Sequence, residues 1–113
     1  MHEVSIAKSI YEIIESEALK NNASEVIKVK ILIGEFTGIV KEALEFALTI
    51  VKKGSFMENT EFEIETVKLK TYCKKCDKTY IGKNKAQFLC PNCNNILSIK
   101  SGKELKIEYI DIL

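Results

Sequence analysis

No stretch of the chain reaches the roughly 18 consecutive apolar residues that a membrane span requires. The Met1-His2-Glu3 start has neither the basic segment nor the apolar core of a signal peptide, so a cytoplasmic protein with no membrane partner is expected. Histidine occurs once, at position 2, and no nucleophile–base pair or second histidine offers an enzyme its machinery. Net charge is only +1, too little for a protein that coats nucleic acid in general. There is no internal repeat apart from paired cysteine motifs, and no low-complexity linker. With 46% apolar and 29% charged residues, the 113-residue chain is not disordered by composition and suits one compact domain carrying a small appendage.

The hydrophobic pattern falls into helix and strand periods. Val4, Ala7, Ile10, Ile14 and Ala18, with Ile6 and Ile13 alongside, recur at helical spacing over residues 4–20, and this helix is expected to fray at Asn21-Asn22. Ile27, Val29, Ile31 and Ile33 then alternate against Val26, Lys28, Lys30 and Leu32, a strand stopped by Gly34. Residues 39–53 place Val40, Ala43, Leu44, Ala47, Ile50 and Val51 on one stripe before Lys52-Lys53 and a C-terminal Gly54, which predicts a second helix. Phe62, Ile64 and Thr66 alternate with Glu61, Glu63 and Glu65 as a half-buried strand. Leu105, Ile107, Tyr109 and Asp111, opposed by Lys106, Glu108, Ile110 and Ile112, close the chain with a third. The expected architecture is α+β: two helices on a three-stranded mixed sheet, with a zinc ribbon inserted before the last strand. Residues 1–69 with 103–113 would form one domain and residues 70–102 the ribbon.

Four cysteines are confined to that insert, as Cys73-Lys74-Lys75-Cys76, thirteen residues, then Cys90-Pro91-Asn92-Cys93. With no export signal, reduced thiols are the better assumption than two disulfides. Two residues between cysteines let a tight turn aim both sulfurs at one centre, and two facing turns supply a tetrahedron of soft thiolates suited to Zn²⁺. Four thiolates fill the coordination sphere that catalytic zinc must leave open, so the site is expected to be architectural. The short runs Thr79-Tyr80-Ile81, Gln87-Phe88-Leu89 and Leu97-Ser98-Ile99 are too small for a core, and a metal must substitute for one. Two alternatives use the same residues: an iron–thiolate electron carrier, and a zinc ribbon that presents lysines to nucleic acid. Residues 70–100 hold seven lysines against Asp77 alone, a formal +6 that zinc bound to four thiolates would lower to +4.

His2 lies one peptide bond from the chain start, and that position changes its chemistry. The Met1 amine, the His2 amide nitrogen and an imidazole nitrogen can close adjacent five- and six-membered chelate rings around one cation, with Glu3 able to complete the set. In-plane nitrogens of this kind suit Ni²⁺ or Cu²⁺. Protons compete for every donor, so acid should release the metal.

Taken with Met1-His2-Glu3 followed by Ser5-Ile6, the segment Ile33-Gly34-Glu35-Phe36-Thr37-Gly38-Ile39-Val40-Lys41-Glu42-Ala43-Leu44-Glu45-Phe46-Ala47, Gly54, both cysteine pairs and Gly102-Lys103-Glu104-Leu105, the sequence resembles the HypA/HybF family of hydrogenase nickel-incorporation proteins. The resemblance implies a non-catalytic metallochaperone that accepts Ni(II) as transient cargo and helps insert it into the large subunit of [NiFe]-hydrogenase. A HypB-type GTPase would be its partner, and a homodimer is compatible with the same reading. It places the nickel anchor on His2, with Met1 and Glu3 as neighbours, and structural Zn(II) on Cys73, Cys76, Cys90 and Cys93. Two departures stand out. Where some relatives carry histidines beside the zinc cysteines, Asp77 and Asn94 follow the pairs here, and where some supply a carboxylate at the start of the second helix, this chain has Val40, with Glu35 and Glu42 nearby.

Overall fold

A computed structural model describes residues 2–82 and 88–113, with His2 described in its backbone only; Met1, and Gln87 of the expected run at 87–89, lie outside the described residues. Helix α1 spans His2–Lys20 and buries Ala7, Ile10, Ile14 and Ala18, the three- and four-residue spacing that lines one helical face. Val4 and Ile13 of the expected stripe stay 39% and 53% exposed. The helix end is more ordered than side-chain competition suggests. Asn22 takes a left-handed φ of 52°, the Ala23 N–H donates to the Ala18 carbonyl at 2.9 Å and the Asn22 N–H to that of Leu19 at 3.2 Å. This is a Schellman termination, with Asn in the role glycine usually fills.

Strand β1 (Val26–Gly34) is the centre of a mixed sheet, parallel to β2 (Glu61–Val67) and antiparallel to the last strand (Leu105–Ile112). The parallel pair needs a crossover, and α2 (Lys41–Lys52) supplies it, burying Leu44, Ala47 and Leu48. Leu48 replaces Val40 and Ile50 of the expected stripe, which are 53% and 54% exposed. Ile14, Ile31, Ile33, Leu44, Leu48 and Met57 are fully buried between the helices and the sheet. Each such side chain contributes roughly 1.5–3 kcal/mol of apolar burial.

Strict alternation fails in two places, and both are bulges. At the start of β1 the register with the last strand shifts between Val26 and Lys28, so Val26 is buried at 4% and Ile27 is 40% exposed, the reverse of the expected faces. The Val26 carbonyl there accepts the hydroxyl of buried Thr60 at 2.7 Å. The second shift, between Lys30 and Ile31, leaves Glu108 as the extra residue opposite β1. Leu105 and Ile107 pair with Ile33 and Ile31 on the helix side before it, and Ile110 and Ile112 with Val29 and Val26 after it. Tyr109 and Asp111 are therefore turned to the outer face with Lys106, where alternation alone had grouped them with Ile107. On that outer face Lys28 reaches Glu63 at 2.9 Å, and Lys30 reaches Glu65 at 2.8 Å and Glu108 at 3.4 Å.

Between β2 and the last strand the chain builds a second antiparallel sheet: β3 (Lys70–Cys73) in the middle, flanked by β4 (Lys78–Ile81) and β5 (Ser98–Ser101). The last strand is thus β6 (Leu105–Ile112). The chain crosses from one sheet to the other very closely. A Cβ placed on Gly34 would stand 2.1 Å from the Gly102 carbonyl oxygen, and one on Gly102 would stand 2.6 Å from the Leu69 Cα. Across this crossing the Gly34 N–H donates to Glu104 O at 2.6 Å and the Phe36 N–H to Gly102 O at 2.7 Å, while the Glu35 carboxylate accepts the Leu69 N–H at 2.9 Å.

Candidate metal centres

Cys73 ends β3 and Cys90 opens a turn after the residues outside the description, so each pair sits on its own tight turn. The turns share a backbone device. Asp77 (φ 52°) and Asn94 (φ 64°) both hold left-handed conformations one residue after the second cysteine. Asp and Asn are the non-glycine residues that adopt this region most readily, which gives these two positions a conformational role. In the second turn the Asn94 N–H donates to Cys90 O at 2.8 Å and the Cys90 N–H to Asn95 O at 2.7 Å. In the first, the Tyr72 hydroxyl donates to the Asp77 carboxylate at 2.7 Å.

These turns bring the Sγ atoms of Cys73, Cys76, Cys90 and Cys93 to within 4.8 Å of one another. Cys73 and Cys90 are buried and the other two half-buried. The Cys73 and Cys93 sulfurs stand 3.4 Å apart, far beyond an S–S bond of about 2.05 Å. Four sulfurs about 2.3 Å from a common centre would lie roughly 3.8 Å from each other, so the set fits one tetrahedral ion. The little core around it consists of Cys73, Cys90 and Leu97 with Cys76, Tyr80 and Cys93 packed against them, so cysteines that could hold an ion occupy the place of hydrophobic side chains.

Two side chains that the spacing did not single out touch this cluster. The Tyr80 hydroxyl lies 3.5 Å from Cys90 Sγ and the Asn92 amide donates to Cys76 Sγ at 3.5 Å; the Cys76 N–H donates to Cys73 Sγ at 3.4 Å. Hydrogen bonding from Tyr80, with backbone N–H groups of Asn92 and Cys93, holds the Cys90 thiol down at about 6 despite its burial, and the same bond pushes the Tyr80 hydroxyl up to about 12. The Asn95 backbone N–H favours ionisation of Cys93, but burial and the sulfurs of Cys73, Cys76 and Cys90 outweigh it and push that thiol up to about 12. The signal in the sequence was Tyr80 within an alternating run two residues after Lys78, indistinguishable there from a packing residue.

The N-terminal candidates sit at the start of α1. Glu3 is half-buried in its first turn, and the helix begins at His2; Met1 and the His2 side chain lie outside the description. The first amides of a helix have no acceptor within it, so the His2 and Glu3 nitrogens carry no intrahelical bond that a metal would have to displace. Of the nearby carboxylates, Glu35 is engaged by the Leu69 amide at the crossing, and Glu42 is exposed in the first turn of α2 behind Val40. No helix among the described residues is long and apolar enough to cross a membrane.

A two-helix, three-stranded body with a four-thiolate ribbon inserted before its last strand defines a metal-binding protein of α+β class. The sequence profile of the hydrogenase/urease nickel-incorporation metallochaperones, hypA, matches residues 1–112. The chain belongs to that family, whose members are metallochaperones and not enzymes. Hydrogenase maturation factor HypA of Roseiflexus sp. (strain RS-1) is 34% identical over 98% of this chain and 91% of its own length. The factor of the same name from Aquifex aeolicus (strain VF5) is 35% identical over 99% of this chain and 97% of its own. The solution structure of the Ni metallochaperone HypA from Helicobacter pylori superposes with a TM-score of 0.71 at 24% identity, covering 100% of this chain and 98% of that one, and so shares the fold.

Proposed function

We propose that this chain carries Ni(II) on its N-terminus, through His2 with Met1 and Glu3, and delivers it to the large subunit of a [NiFe]-hydrogenase in cooperation with a HypB-type GTPase. The observation that carries this reading is the family match over residues 1–112, which includes the only histidine of the chain at position 2. The positive end of the α1 dipole disfavours a cation at this terminus, so ionised amides and the Glu3 carboxylate would supply the compensating negative charge. A cation held at a chain end, on donors that solvent and an acceptor can both reach, leaves by ligand exchange, and acid hastens it by protonating the imidazole and amine.

Cys73, Cys76, Cys90 and Cys93 would hold Zn(II), whose role is to close the ribbon; the supporting feature is a thiolate set that leaves no open position. Residues 1–69 with 103–113 form the nickel-bearing unit and residues 70–102 the ribbon, whose lysines offer a docking surface. Calorimetric titration of the untagged, zinc-loaded chain with Ni²⁺ tests the reading. His2→Ala should abolish tight nickel binding while zinc content and fold persist, and a residue added ahead of Met1 should weaken it too. Equal nickel affinity in the native chain and His2→Ala would overturn the assignment.

A further inference from the structure

Successive side chains of a strand point to opposite faces, and the ribbon sheet divides its residues accordingly. Register puts Thr71, Cys73 and Tyr80 on the thiolate side and Lys70, Tyr72, Thr79, Ile81 and Ser98 on the other. Lys100, at the shift in the pairing of β3 with β5, joins this second side, because its ammonium stands 5.5 Å over the Tyr72 ring. The outward side is open to solvent: Lys70, Thr79, Ser98 and Lys100 are exposed, Ile81 is 51% exposed and Tyr72 is half-buried. Lysines stand at both of its ends, Lys70 and Lys100 towards the crossing and Lys74 and Lys75 in the first cysteine turn, with an apolar strip of Tyr72 and Ile81 among them. Among the described ribbon residues Asp77 is the only acid, and it is occupied in accepting the Tyr72 hydroxyl at 2.7 Å.

Charge is segregated between this ribbon and the body. Residues 70–100 are formally +6, which leaves −5 for the rest of a chain of net charge +1. A patch of one sign steers and orients a partner of the other. We propose that the outward side of β3, β4 and β5 docks an acidic polypeptide segment of the nickel acceptor, an inference that rests on the delivery reading above. Carboxylates of the segment meet the lysines at the two ends, and an apolar side chain between them lies on Tyr72 and Ile81. Lys70 and Lys74 are four residues apart, about 13 Å at the rise of a strand, so four or five extended residues of the partner reach both ends. Nucleic acid suits the face poorly. Base stacking needs an open ring, whereas the one aromatic ring here among the described residues has Lys100 over it and is tied through its hydroxyl to the Asp77 carboxylate, which repels a phosphate backbone. None of these residues belongs to α1, so docking here leaves the amino end to exchange its cargo.

Fluorescence anisotropy of a labelled peptide carrying two glutamates on each side of a leucine, titrated with the zinc-loaded full chain, tests this. The peptide should bind, and more weakly as salt rises. Lys70→Glu and Lys100→Glu should each lower its affinity about tenfold at low salt, and Ile81→Ser about fivefold at any salt, with circular dichroism and zinc content unchanged. Lys53→Glu makes the same change of charge at the exposed end of α2 and should leave the affinity within about twofold. Nickel calorimetry separates this proposal from the delivery reading: the lysine variants should bind Ni²⁺ as the native chain does, and His2→Ala should bind the peptide as the native chain does. A peptide that does not bind, an equal loss in Lys53→Glu, or a single-stranded oligonucleotide of the same charge that binds more tightly than the peptide would each overturn the proposal.

Discussion

Replacing Gly34 by alanine should damage the molecule far more than its ordinary backbone suggests. Gly34 has φ −73° and ψ 141°, a conformation open to any residue, so the substitution carries no dihedral penalty. Its cost is contact: the new methyl carbon would stand 2.1 Å from Gly102 O and 2.5 Å from the Glu104 N, both main-chain atoms that cannot rotate away. The two segments must part by more than an ångström, which breaks the Gly34–Glu104 and Phe36–Gly102 hydrogen bonds of 2.6 and 2.7 Å and loosens Leu69, only 2% exposed beneath them. Two net hydrogen bonds of about 0.5–1.5 kcal/mol each plus disturbed packing give a loss of about 2–4 kcal/mol, or roughly 10 °C in Tm. Gly38→Ala is the natural comparison, because its added carbon meets nothing within 4 Å but sits at φ 77°, a strain of about 1 kcal/mol. Thermal unfolding of both zinc-loaded variants, with amide exchange at Phe36 as the local readout, checks this. If Gly34→Ala melts no lower than Gly38→Ala and Phe36 stays protected, the close crossing does not bear on stability.

Tyr80→Phe removes the donor that holds the Cys90 thiol at about 6. A depressed thiol pKa favours metal retention until pH falls through it, so the variant should release zinc at a higher pH and bind it roughly tenfold more weakly, read by a chromophoric chelator. Thr60→Val strands the Val26 carbonyl at the first bulge, buried with Thr60 at 1% exposure, and should cost about 1–3 kcal/mol in denaturant unfolding. Chelating the ribbon metal should erase ordered amide resonances over residues 70–82 and 88–101 while those of α1, β1 and α2 remain; coincident loss of both sets would contradict a separately held ribbon.

The helices, the three long strands and the thiolate cluster were legible because each rests on a local signal: a 3.6- or two-residue period, or a fixed spacing of ligands. The bulges were not. Where Ile27 and Val26 exchange faces, or Ile107 and Ile110 share one, the cause is the register between strands nearly 80 residues apart, which no window along the chain contains. Along the chain Asp77 stood out as the one acid among the ribbon's lysines, and with Asn94 as a place where histidine was missing, whereas their left-handed φ values give both a backbone function at the turns. Tyr80 was visible as a residue but not as a hydrogen-bond partner of the Cys90 sulfur, since that depends on β4 lying beside β3.

The clasp at the base of the ribbon bears on the order in which the chain can assemble. β6 must find β1 after a detour from Val67 to Leu105, yet Lys70 pairs with Ser101 and the Ser101 hydroxyl donates to Lys68 O at 2.9 Å. Once that base is zipped, the loop to be closed shrinks from about 38 residues to about 8, a saving of roughly 1–2 kcal/mol in closure entropy. A nascent chain that folds its cysteine turns first therefore meets a lower barrier to completing the sheet that supports its amino-terminal helix.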